Sequence, residues 1–374
     1  MLPGMQAPVT HVVGARPNFV KAAPVIASLG RRGIAQRLFH TGQHYDAGLS
    51  DVFFRDLGLP APDVSLGVGS GTQAGQTAAL LVALDDALGA PSPSLVVVYG
   101  DVNSTLAAAL VAVKRGFPVA HVEAGLRSFD DSMPEEINRR LTDSLSDLLF
   151  VTSPEGIGHL AREGVDGSHV HFVGNPMIDT LMRHLDRFDA ARMRSTLGLP
   201  ARYAAATLHR PSNVDAPHAA KRLVAALTGV AALVPIVLPL HPRGRETLEA
   251  TGLSGVEGLR VVEPLGYIDF ISLVRGAAFV ITDSGGIQEE TTVLGVPCLT
   301  LRPNTERPIT IGHGTNRLVT PDDVVEHARA ILDGRVAMPS EGPPLWDGRA
   351  GERIAAIIES WLRDRVGGTE PTTV

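Results

Sequence analysis

Between Ala278 and Pro297 the chain reads AFVITDSGGIQEETTVLGVP, and this stretch restricts the fold more than any other. Phe279, Val280 and Ile281 form a short β-branched and aromatic run that Asp283-Ser284-Gly285-Gly286 interrupts, the pattern of a buried strand entering a tight turn. Ile287 to Leu294 has helical spacing, and Gly295 followed by Pro297 closes it. A helix start presents unpaired N–H groups and a partial positive charge, and paired glycines let a ligand approach the backbone. The unit therefore predicts a diphosphate seat, with Glu289 or Glu290 one turn in to accept from ribose hydroxyls. An ordinary β-to-α turn that happens to use glycines is the plainer alternative.

The same order of strand, turn and helix recurs along the chain. Strand patterns fall at 9–13, 37–40, 95–99, 119–122, 148–151 and 170–173, then at 203–208, 236–240, 260–262 and 279–281. Helical patterns fall between them, at 20–29, 77–88, 104–114 and 134–145, and later at 324–332 and 354–366. Such alternation is the mark of parallel sheets covered on both faces, an α/β protein. At 374 residues the chain exceeds one ordinary core. Two domains are expected, 1–174 and 175–350, with Gly174-Asn175-Pro176 as the crossing and a last helix, about 351–368, returning to the first.

Composition excludes several partners. The net charge of −7, without a basic tract, argues against nucleic acid or an anionic membrane surface. No apolar stretch approaches transmembrane length, and the opening MLPGMQAPVTHVVGA lacks a basic n-region, so no leader is expected. The one cysteine, Cys298, lies in an apolar run and has no internal partner, which fits a reducing cytoplasm.

In open parallel sheets, ligands bind beyond the carboxyl ends of the strands. The unusual polar residues gather there: Arg16 and Lys21 after the first strand, and Asp101, Glu123, His209, His241 and Ser284 at the ends of others. Singly, each reads as a cap or packing residue; together they predict one interdomain cleft lined from both sides. Arg16, Lys21, Arg210, Arg307 and the Ser-Gly-Gly helix start suit a doubly charged diphosphate. Asp101, Glu123, Glu135 and Glu136 supply carboxylates for proton transfer at a sugar carbon. For Glu135 and Glu136, dipole complementarity in a helix opened by Pro134 is an equal explanation.

Other chemistries lack their motifs. The sequence has no Asp-x-Asp, P-loop or HExxH, and His169 and His171 fall on a strand pattern rather than in a zinc constellation. Gly69-Ser70-Gly71-Thr72-Gln73-Ala74 does not open the first strand–helix unit and reads as a loop before a helix.

GARPNFVKAAP, GDVNSTLA, HVEAGLRS, MPEEINR, LHRPSNVD, LTLRPNTERP and TDSGGIQEE, in that order, resemble the non-hydrolysing UDP-N-acetylglucosamine 2-epimerases over nearly the whole chain. The resemblance implies a GT-B-like architecture, two Rossmann-like domains with parallel sheets facing a deep cleft, in a homodimer that uses no metal or redox cofactor. It implies catalytic roles for Asp101, Glu123, Glu135 and His209. It also implies substrate contacts by Arg16 and Lys21, by Ser284, Gly285 and Gly286 at the diphosphate, Glu290 at the ribose, Phe270 at the uracil side, and Arg307. The implied substrate is UDP-GlcNAc, epimerised at C2 to UDP-ManNAc through a 2-acetamidoglucal and UDP. Gln43 and His44 match part of a regulatory site for a second UDP-GlcNAc in some bacterial members, but the 69–75 loop lacks the arginine that completes it. Asn18, Pro211-Ser212 and Ile309 also depart from the family pattern. A hydrolysing epimerase, an epimerase of a diacetamido or 6-deoxy UDP-sugar, a GT-B glycosyltransferase and an inactive nucleotide-sugar binder stand as alternatives.

Overall fold

The structure is a computed structural model, described here for residues 7–42, 54–240 and 244–367. The chain forms two compact units, one from Met1–Arg183 with Pro344–Val374 and one from His184–Pro343.

In the first unit seven strands build one sheet: β1 (Val9–Val13), β2 (Gln36–His40), β3 (Val64–Ser65), β4 (Leu95–Tyr99), β5 (Val119–Ala124), β6 (Leu148–Val151) and β7 (Val170–Phe172). Their order is β3-β2-β1-β4-β5-β6-β7, and every pairing is parallel. β1, β4 and β5 are buried along their whole length; β4 accordingly reads as a continuous apolar run, while β1 buries Thr10 and His11 and β5 buries His121 and Glu123.

The second unit holds six parallel strands: β8 (Ala204–Thr207), β9 (Ile236–Pro239), β10 (Leu259–Val262), β11 (Phe279–Thr282), β12 (Cys298–Leu301) and β13 (Asn316–Val319). Their order is β10-β9-β8-β11-β12-β13. Both sheets therefore have the α/β character that the alternation predicts. In each, strand order reverses at the centre, between β1 and β4 and between β8 and β11. Those reversals are the places where such sheets open a crevice for a ligand.

The helix Pro176–Arg183 belongs to the first unit. Thr180 donates its hydroxyl to the Val20 carbonyl at 2.6 Å, and Asp179 accepts the backbone N–H groups of Ala350 and Gly351 at 3.0 and 2.7 Å. Asp179 thus caps the final helix, Ala350–Gly367, which packs on the helix Arg16–Arg31. A Cβ at Gly351 would lie 2.7 Å from the Pro24 carbonyl oxygen, so the two helices touch backbone to backbone there. Burial pushes the Asp179 pKa up to about 6, with the two N–H groups opposing.

Two details differ from expectation. The helix expected from 77 begins at Gln73, because Thr72 caps it by accepting the Gly75 N–H at 3.1 Å. β13 opens with Asn316 and Arg317 and has only Leu318 and Val319 as apolar residues, too short a run to mark a strand.

Candidate active site

The loop after β1 and the loop after β4 are tied together by Asn18. Its side-chain oxygen accepts the Gly14 and Ala15 N–H groups at 3.0 and 2.9 Å, and its amide donates to the Tyr99 carbonyl at 2.7 Å. The residue that departs from the family pattern is thus a buried brace between the two central strands. Arg16 opens the helix behind it, half-buried.

One turn on, the buried Lys21 ammonium pairs with the buried Glu123 carboxylate. Glu123 has φ 76 and sits where the register between β5 and β6 shifts. A non-glycine residue held there costs about 1–3 kcal/mol and persists only where its surroundings over-determine it. Gly100, with φ 65, lies against the pair: a Cβ would stand 3.0 Å from the lysine nitrogen and 3.1 Å from the glutamate oxygen. Only glycine satisfies both that backbone and that space.

Asp101 follows, half-buried, and its carboxylate pairs with Arg139 of the helix Pro134–Leu145. The same guanidinium holds Glu136 at 2.6 Å. Asn138 donates to the Asp101 carbonyl at 2.9 Å and to the Asn103 side chain at 3.0 Å. This helix buries Glu136, Asn138, Arg139, Thr142 and Asp143 and leaves Ile137 and Leu141 exposed, the reverse of an ordinary amphipathic helix. The structure separates its two glutamates. Glu136 is buried and accepts the Ser128 N–H at 2.9 Å and the Phe129 N–H at 3.2 Å; Glu135 stays half-buried on the first turn.

In the second unit, Asp283 between β11 and the Ser-Gly-Gly turn is fully buried. Its carboxylate accepts the backbone N–H groups of His209 and Arg210 at 3.0 and 2.9 Å and the Asn213 amide at 3.0 Å, and it lies 3.0 Å from the His209 Nδ1. Burial pushes the Asp283 pKa up, but His209, Arg210 and Asn213 outweigh it and hold the carboxyl below its ordinary value. The result orients a half-exposed imidazole at the end of β8. Sequence reasoning took Asp283 for a turn residue; its place immediately before Ser284 and its full burial make it the support of His209.

Ser284 is the N-cap of the helix Gly285–Leu294. A Cβ at Gly285 would stand 2.4 Å from an Arg307 nitrogen, so Gly285 is required for the approach of that arginine. Arg307 is buried between Glu289 at 3.0 Å and Glu306 at 2.5 Å, and Arg302 reaches the same Glu306 at 2.8 Å. Arg210 lies 3.7 Å from Glu306. Gln288 ties the turn to β13: its amide donates to the Ser284 carbonyl at 3.2 Å, and its oxygen accepts from Asn316 at 3.0 Å. Glu290 is buried beside Tyr267. Burial, then the neighbouring Glu289, pushes its pKa up to about 8, with the Tyr267 hydroxyl partly opposing. Phe270, on the helix Tyr267–Arg275, is half-buried against the cluster that holds Leu273 and Ile287. His241, Gln43 and His44 lie outside the described residues.

The structure thus brings Lys21, Asp101 and Glu123 to the strand reversal of one sheet, and His209, Ser284 and Gly285 to that of the other. The model of the family described as UDP-N-acetylglucosamine 2-epimerase matches residues 27–359. The chain belongs to that family. This epimerase-family chain is 37% identical over 359 residues to the UDP-N-acetylglucosamine 2-epimerase of Methanocaldococcus jannaschii, covering 93% of this chain and 97% of the relative. The UDP-2,3-diacetamido-2,3-dideoxy-D-glucuronate 2-epimerase of Pseudomonas aeruginosa is 41% identical over 355 residues, 93% of this chain and 98% of its own. The crystal structure of the Methanocaldococcus jannaschii enzyme in complex with UDP-GlcNAc and UDP matches with a TM-score of 0.89, covering 94% of the epimerase-family chain and 99% of that one. The two-sheet GT-B-like architecture is therefore that of an epimerase whose structure is solved.

Proposed function

We propose that the protein interconverts UDP-GlcNAc and UDP-ManNAc at C2, without a cofactor, by elimination and re-addition of UDP. The observation that carries this reading is the pairing of Glu123 with Lys21 and of Asp101 with Arg139 at one strand reversal. Each carboxylate lies against a buried cation, Arg139 being shared with Glu136, an arrangement suited to accepting and returning a proton.

The C2 hydrogen of the sugar is not adjacent to a carbonyl, so a carboxylate cannot take it from the intact ring. Cleavage of the C1–O bond, with the electron pair leaving on UDP, makes C1 cation-like and the C2 proton acidic. A carboxylate of the first unit takes that proton, leaving 2-acetamidoglucal and UDP. Return of a proton to the opposite face of C2 and of UDP to C1 gives the epimer. Asp101, Glu123 and Glu135 carry the proton transfers, and His209 with Arg16 and Arg210 serves the departing diphosphate. Ser284, Gly285 and Gly286 seat that diphosphate at a helix start, an electrostatic contribution already in place before the bond breaks. Arg307 supports the turn from beneath, Glu290 takes the ribose hydroxyls, and Phe270 flanks the uracil. Water must be kept out, since the glycal would otherwise be lost.

A homodimer in the cytoplasm belongs to the same reading. The exposed apolar residues Ile137 and Leu141, with Ile157 and the 73% exposed Phe129, support a partner on the outer face of the Pro134–Leu145 helix. Among the described residues no helix is long and apolar enough to cross a membrane. Sedimentation at several concentrations tests the dimer.

Incubation with UDP-GlcNAc in D2O tests the reaction. Deuterium at C2 in both epimers is the expected outcome; bound substrate without exchange overturns it. Release of free ManNAc identifies a hydrolysing enzyme. The 41% identity to the Pseudomonas aeruginosa enzyme supports a second reading, in which a UDP-diacetamido uronate exchanges and UDP-GlcNAc does not.

A further inference from the structure

One buried carboxylate, that of Asp143, ties down the chain on both sides of Glu123. Two residues before it, His121 places Nδ1 2.6 Å from Asp143 Oδ1 and Nε2 2.8 Å from the Gly100 carbonyl. Two residues after it, the Gly125 N–H donates to Asp143 Oδ2 at 3.1 Å. One carboxylate therefore grips both flanks of Glu123 and, through His121, the glycine packed against the Lys21–Glu123 pair. A carboxylate oxygen thus faces one ring nitrogen of His121 and a backbone carbonyl the other, which fixes the plane of the ring. Arg127 meets Asp143 Oδ2 at 2.8 Å and makes a double contact with Glu163 at 2.8 and 2.6 Å. His121, Asp143, Arg127 and Glu163 form a continuous polar chain, and the first three are buried. Ordinary packing of a helix on a sheet calls for none of these charges.

We propose that Asp143 is a positioning residue for the epimerisation: it clamps residues 121–125 so that the Glu123 carboxylate is held toward Lys21 and Gly100 in one orientation. The proposal rests on Glu123 being a catalytic carboxylate. Asp143 acts through that carboxylate alone, so its loss costs turnover and leaves the nucleotide in place. A displaced catalytic group costs about 100-fold for a shift near 1 Å, and a loss of about 10–100-fold in kcat is expected here.

The test is a double-mutant cycle on the full chain, reading C2 exchange in D2O, kcat, KM and UDP affinity. Asp143→Asn is expected to lower kcat and exchange together, with UDP affinity unchanged, and to add no further loss in a Glu123→Gln background. The imidazole 15N shifts of His121 are expected to change in the variant, because the group facing Nδ1 changes from a carboxylate to an amide. Native kcat in Asp143→Asn, or a loss of the same size in both backgrounds, overturns the clamp. Full exchange in Glu123→Gln instead overturns the catalytic reading on which the clamp stands, so the two failures are distinct. If Asp143→Asn does not fold, His121→Ala takes its place in the cycle; it removes the links to Gly100 and to Asp143 Oδ1 and leaves Asp143 on Gly125 and Arg127. The same non-additive loss is expected, and native kcat in that variant overturns the proposal.

Discussion

The two strand reversals solve opposite electrostatic problems. In the first unit acids are kept close to cations, Glu123 with Lys21 and Asp101 with Arg139, and in the proposed reaction each of these carboxylates is itself the reactive group. In the second unit acids work from below: Asp283 orients His209 and the Arg210 backbone, while Glu289 and Glu306 hold Arg307 under Gly285. On that proposal the same residue types do chemistry on one sheet and present donors on the other. Substitutions on the first sheet should change turnover, and those on the second should change binding.

The sharpest break in that comparison is Glu123→Gln, which is expected to lower C2 exchange by about 10³-fold while UDP affinity, read by calorimetry, stays native. Lys21→Met comes next. It strands a buried carboxylate and should destabilise the first unit by about 3–5 kcal/mol in urea unfolding, most of which the Lys21→Met/Glu123→Gln double variant should recover. Gly285→Ala forces its methyl onto Arg307 and is expected to weaken UDP binding about 10-fold or more, with kcat at saturation changed far less.

The smallest effect concerns Glu290. Its pKa is raised from 4.5 to about 8 in the folded chain, so the preference of the fold for the protonated acid is fully present below pH 4.5 and is lost as the pH rises through 8. Glu290→Gln should match the native unfolding temperature at pH 5 and exceed it at pH 9. A native pH dependence in that variant would show that Glu290 does not set this limb of the stability curve.

Strand ends, the Ser-Gly-Gly unit and the carboxylates at 101 and 123 were legible because they lie where a local pattern stops. Their partners were not, because they come from distant chain: Lys21 is 102 residues from Glu123, and Arg139 is 38 from Asp101. Nothing local marks Asn18 as a brace between two strands; its chemistry shows only when the Tyr99 carbonyl comes within 2.7 Å. The helix Pro134–Leu145 misleads any reading by hydrophobic spacing, since its apolar residues face outward. Composition and spacing do not distinguish Glu135 from Glu136; the family resemblance singles out Glu135, and in the structure Glu136 is the buried one.

The last helix, capped by Asp179, makes the second unit an insert within the first, entered at 183/184 and left at 343/344. A protease that nicks either crossing leaves the other intact, so a single cut does not release a fragment. Severing both crossings would excise 184–343, while the segment from 344 onward would still have to hold to the remainder without a peptide link. After a cut at one crossing, native electrophoresis would give one band and denaturing electrophoresis two.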